Sequence, residues 1–131
     1  MGLDCSHGAW SGAYYRFNRF RQYLAKTIGG SWPPHDPEFR MPDGTAPSRH
    51  DWYRDDDIAP EHTVGILALM NHSDCDGDLS PEECAAVAAW LRWAIPLLPE
   101  KVGGDRPRVD AEQFAAGCEL AHSRGEHLFF D

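Results

Sequence analysis

One stretch constrains this chain more than any other: Asn71-His72-Ser73-Asp74-Cys75-Asp76-Gly77-Asp78-Leu79-Ser80-Pro81-Glu82-Glu83. Apolar segments of helical spacing flank it on both sides, so the pattern predicts helix, tight loop, helix. Three aspartates alternate, Gly77 permits a sharp turn, and a glutamate closes the stretch from the following helix. Carboxylates arranged in that way are how a chain wraps oxygen ligands around a hard cation. A second reading needs no metal: an Asp-Gly turn, then a helix capped by Ser80, with Pro81 in its first turn and Glu83 completing a capping box.

The other elements follow from the same periodicity. A first helix over 8–28 carries Ala13, Phe17, Phe20, Leu24 and Ile28 on one stripe, with Trp10 one turn earlier, and Gly29-Gly30 ends it. Arg16, Arg19 and Lys26 fall largely off that stripe, which predicts a basic outer face. The second helix, 61–71, holds Val64, Ile66, Leu67, Leu69 and Met70 and should be deeply buried. The third runs from Ser80 to about Ile95, where Pro96 stops it, with Cys84, Val87, Ala88, Leu91 and Ile95 inward and Trp90 and Trp93 on a second strip. Asp110 with Gln113 offers a capping box for a fourth helix bearing Phe114, Cys118 and Ala121. Residues 29–60 hold six of the ten prolines and read as a long loop, pinned to the core by Trp32, Phe39, Trp52 and Tyr53. The expected architecture is mainly α: one domain over 1–131, about four helices, one long ordered loop, and a short two-stranded ribbon joining Leu3–Cys5 to Leu128–Phe130.

Charge narrows the function. The chain of 131 residues has a formal net charge of −9, and residues 51–100 carry eleven acidic against two basic side chains. That sign disfavours sequence-independent nucleic-acid binding. It suits a cation site, or an acidic 51–83 face for a protein partner. No apolar run approaches the ~20 residues of a membrane span. The opening Met1–His7 lacks the basic and apolar regions of a signal peptide, so a cytoplasmic protein with reduced thiols is expected.

The 72–83 loop with its flanking helices resembles a single EF-hand. That resemblance implies a calcium-type site with ligand positions on His72, Asp74, Asp76, the Asp78 carbonyl, Ser80 and Glu83, and Leu79 at the loop's apolar position. It departs from the pattern at His72, where an aspartate is expected, and this should weaken calcium. Val109–Phe114 has the outline of a second loop's exit, but no acidic triad precedes it.

Zinc is the alternative cofactor. Cys5-Ser6-His7 and His72-Ser73-Asp74-Cys75 could close a tetrahedral site from Cys5, His7, His72 and Cys75, structural or catalytic, if the N-terminus folds over the loop. Cys118 and His122 share a helical face as a spare pair. Catalysis by Cys5 with His7 as base has no further support, and no phosphate-binding glycine loop or nucleophile elbow is present, so the sequence leans away from an enzyme. The Cys5-Ser6-His7-Gly8-Ala9-Trp10 opening, the Asn71–Gly77 segment and the apolar–acidic tail together resemble small uncharacterised proteins of actinobacteria and their phages. That likeness implies a cytoplasmic, phage-type protein and brings no activity with it. The resulting expectation is a non-enzymatic binding or regulatory module with a calcium-type loop. A metal-free regulator that binds a host protein is the further alternative.

Overall fold

The computed structural model describes residues 2–28, 61–70, 72–73 and 76–131. The 29–60 loop with its four aromatic anchors lies outside these residues, as do Asn71, Asp74 and Cys75. Among the described residues the chain is mainly helical, with four α-helices and short antiparallel ribbons. The helices are α1 (Tyr14–Thr27), α2 (Glu61–Met70), α3 (Pro81–Ala94) and α4 (Pro107–Ser123). No helix among them is long and apolar enough to cross a membrane.

The N-terminus departs from the expected helix. Strands β1 (Gly2–Asp4) and β2 (Ser11–Ala13) pair antiparallel, Leu3 opposite Gly12, and α1 starts only at Tyr14. The reversal is made by a 3₁₀ turn at Ser6–Gly8, where His7 and Gly8 both take positive φ, 59° and 69°. A helix through that turn is sterically excluded. Trp10 reaches the core anyway, stacked on Phe20 with ring centroids 5.5 Å apart and edge-on to Phe17 at 5.2 Å.

From Tyr14 onward α1 follows its stripe, burying Phe17, Phe20, Leu24 and Ala25. Its arginines are not a free basic face. Arg19 makes a two-pronged pair with Asp105 at 2.7 and 2.9 Å, joined by the Tyr23 hydroxyl donating to Asp105 at 2.8 Å. Hydrogen bonding from Arg19 holds the Asp105 carboxyl below its ordinary range despite burial. Arg16 donates to Asp110 at 2.6 Å and lies over the Trp10 ring. These pairs fasten α1 to the start of α4.

Helix α3 begins as its sequence dictates: Ser80 accepts from the Glu83 N–H and Glu83 accepts from the Ser80 N–H, a complete capping box. Trp90 is fully buried and Trp93 is partly exposed. Helix α2 lies against α3, with Ile66, Leu69 and Met70 buried, while Val64 is exposed. The fourth helix begins a turn earlier than Asp110, because Pro107 takes its first position with φ already set for a helix. Asp110 therefore binds Arg16, and Gln113 donates to the Gly8 carbonyl at 2.9 Å rather than capping. Phe114, Cys118 and Ala121 face the core as expected.

Strand β3 (Asp78–Leu79) pairs with β4 (Leu128–Phe129), Leu79 opposite Leu128. The termini meet as well: Cys5 bridges Phe130, and Asp4 and Asp131 exchange backbone hydrogen bonds at 3.2 and 2.8 Å. The tail is thus clamped between the loop on one side and the N-terminus on the other.

Candidate functional site

The site is built by a chain reversal at Gly77, whose φ of 92° suits glycine. The turn turns the Asp78 carbonyl back toward His72, whose Nε2 lies 2.9 Å from that oxygen. The other ring nitrogen faces the Ser73 carbonyl at 2.9 Å. A neutral imidazole has one N–H and satisfies one of these acceptors, whereas an imidazolium satisfies both. A Cβ at position 77 would stand 3.2 Å from the His72 ring, so the imidazole packs directly under the turn.

Three distant parts of the sequence hold this loop. Phe130 stacks on His72 at 3.9 Å between centroids, and its N–H donates to the Gly77 carbonyl at 2.9 Å. His127 Nδ1 bonds the Asp78 carboxylate at 2.5 Å. Arg21, buried on α1, donates from one nitrogen to the carbonyls of Met70 (3.2 Å) and His72 (2.6 Å), which lie at the end of α2 and the start of the loop. On the far side of the tail, Ser6 Oγ accepts from the Phe129 N–H at 2.9 Å and sits 2.8 Å from His7 Nδ1, while His7 Nε2 meets Glu126 at 3.0 Å.

The six predicted cation ligands are distributed as follows. His72 Nε2 and the Asp78 carbonyl are hydrogen-bonded to each other at 2.9 Å, the nitrogen donating. Ser80 and Glu83 stand at the head of α3 in the capping box. Asp76 is exposed, its N–H donating to Ser73 Oγ at 3.4 Å, and its carboxylate makes no hydrogen bond or ion pair among the described residues. Asp74 lies outside them. No group of three or more His, Cys, Asp or Glu side chains among the described residues is placed to hold a metal ion.

The zinc set is less well assembled. Cys5 backs onto Phe130, but His7 is turned away to Ser6 and Glu126, and Cys75 lies outside the described residues. Burial, helped by Asp4, pushes the Cys5 thiol up to about 12, so it is neither a ready thiolate ligand nor a nucleophile. Hydrogen bonding with Cys84, together with burial, pushes the Cys118 thiol up. His122 Nδ1 donates to the Pro81 carbonyl at 3.0 Å.

The shift at Cys5 has a consequence for stability. The native thiol keeps its proton where the unfolded one, with an ordinary value of 9.0, loses it. Its contribution is therefore complete below about pH 9 and falls as pH rises toward 12. Urea denaturation of the wild type should show that alkaline loss, and Cys5→Ala should flatten it. Parallel pH profiles for the two proteins would refute the assignment.

The residues that sequence reasoning missed are Arg21, Glu126, His127 and the stacking role of Phe130. Arg21 did leave a signal. It sits at helical spacing between Phe17 and Leu24 on the apolar stripe, where an arginine must find carbonyls or carboxylates to be buried. Comparison with known proteins finds no matching family model, no matching curated protein and no matching solved structure.

Proposed function

We propose that this chain is a small non-enzymatic binding or regulatory module. Its 72–83 loop takes a divalent cation of calcium type, and its acidic 51–83 region faces a protein partner. One observation carries the reading: His72 Nε2 and the Asp78 carbonyl, first and seventh in the loop, converge to 2.9 Å across the Gly77 turn. The frame supports it. The loop joins two helices, Leu79 is buried, Glu83 sits at the head of α3, and the Asp78 carboxylate points away to His127, leaving its carbonyl as the inward donor. The groups that would hold the ion are His72, Asp74, Asp76, the Asp78 carbonyl, Ser80 and Glu83. A hard cation there would supply a rigid tie between the helices, and it must compete with the His72–Asp78 hydrogen bond, which places its affinity at the weak, ~millimolar end of the range.

Because β3 and the Gly77 carbonyl are bonded to the tail, occupancy of the loop would be transmitted to both chain ends. Calcium at millimolar concentration is expected to raise the melting temperature of the wild type and to give an adduct in native mass spectra. Asp76→Ala should abolish both without lowering the stability of the calcium-free protein, since that carboxylate has no partner among the described residues. A wild type that carries no adduct and melts alike in calcium and in chelator would remove the cation reading.

A further inference from the structure

We propose that the groove between α4 and the 3₁₀ turn at Ile95–Leu97 docks an acidic–apolar peptide segment of a protein partner. Its floor is a cavity of about 510 Å³ lined by Ile95, Val109 and Ala116 with Gln113 and the edge residues Arg108 and Glu112. Arg108 and Val109 also line an adjoining cavity of about 390 Å³, whose remaining walls are Glu100, Lys101 and Arg106. The two hollows therefore share Arg108 and Val109 as a common wall, with mostly aliphatic lining on one side and cationic lining on the other.

The charge is what selects the occupant. Residues 101–131 carry four basic side chains, and three of them line this one cavity in a chain of net charge −9. Lys101 and Arg106 make no ion pair among the described residues. Arg108 is fixed in place, Nε donating to the Leu98 carbonyl at 2.6 Å, with Glu100 3.6 Å away. Val109, which lines both hollows, is 55% exposed and so open to an apolar side chain of the partner. Acidic side chains on the cations with apolar ones over Val109 satisfy both halves, and the cations would steer the approach. Nucleic acid fits less well: the floor is aliphatic, with no aromatic ring to stack a base. The groove lies on α4 and its preceding turn, so this proposal stands apart from the cation loop.

The test selects ligands for the full-length protein from a random peptide library displayed on phage, with chelator present throughout. Peptides combining apolar and acidic residues are expected. Their affinity should fall at least about tenfold for Val109→Asp and for Lys101→Glu/Arg106→Glu, and only the charge contribution should weaken with salt. These side chains are exposed, so unchanged melting temperatures would show that the variants fold. Five results would overturn the proposal. The selected peptides could lack acids, or bind both variants as well as wild type. A mixed-sequence oligonucleotide could bind instead and be lost on the charge reversals. Sedimentation could find a dimer that Val109→Asp dissociates, making a second copy the occupant. Failure to recover any peptide would count against it equally.

Discussion

Replacement of Gly65 by alanine is expected to lower the melting temperature by about 10 °C, a loss of ~3 kcal/mol. An alanine Cβ at this position would stand 2.3 Å from the Ala86 carbonyl oxygen, 2.7 Å from its carbon and 3.0 Å from the Val87 nitrogen. All three are backbone atoms of α3, so no rotamer change relieves the contact and the two helices must move apart. Separation opens the packing of Ile66, Leu69 and Met70, which are buried. Gly to Ala inside a helix gains up to ~1 kcal/mol of propensity, which is too little to offset this. Gly104→Ala is the matched control: nothing lies within 4 Å of its Cβ and its φ is ordinary, so its melting should stay near wild type. If Gly65→Ala melts with that control, α2 does not lie against α3 as described. Calcium responses should also weaken in Gly65→Ala, because α2 leads directly into the loop.

The parts of this fold that were legible are those whose cause is local. The Ser80–Glu83 capping box, the α1 stripe from Phe17 to Leu24 and the stop at Pro96 are each fixed by neighbours within a turn or two. The N-terminal hairpin was not legible, because Trp10 falls in phase with Phe17 and Phe20 by packing on them across a turn. The in-phase spacing concealed His7 and Gly8, whose positive φ values break the helix. The expected start of α4 at Asp110 gave way to Pro107, whose fixed φ opens the helix a turn earlier and leaves Asp110 inside the first turn, where it pairs with Arg16.

The site divides along the same line. The loop stands in one continuous segment, and its glycine turn at Gly77 and the Ser80–Glu83 cap were readable from it. What positions them is long-range: Arg21 from α1, His127 and Phe130 from the tail. Pairing of β4 with β3 depends on chain closure over some fifty residues, which leaves no period in the sequence. The alternation around Leu128 marks a short strand without naming its partner. His7, read as a zinc ligand or catalytic base, meets Glu126, and its neighbour Ser6, read only as the spacer between Cys5 and His7, fastens the tail through Phe129.

His72→Asp is expected to strengthen calcium binding at least about tenfold, with a lower melting temperature in chelator. The wild-type ring does three things: it bonds the Asp78 carbonyl, stacks on Phe130 and packs under Gly77. Losing them should cost ~1–3 kcal/mol in the calcium-free protein. An aspartate adds a fourth carboxylate to those of Asp74, Asp76 and Glu83, beside the existing Asp78 carbonyl. A unit charge 4 Å from a cation is worth ~4 kcal/mol per ion charge at an effective dielectric near 20, before desolvation reduces it, so attraction outweighs the lost contacts once calcium is present. His72→Asn separates the two effects, removing the ring without adding charge. It should melt low in chelator and recover little in calcium, whereas His72→Asp should recover past its calcium-free value by several degrees. Isothermal titration and paired thermal melts decide between them. Equal responses from Asp and Asn would mean that position 72 faces no cation and that the imidazole is itself the group the loop is built to hold. A calcium response confined to Asp would place the first ligand at residue 72 and make the histidine the cause of the weak wild-type site.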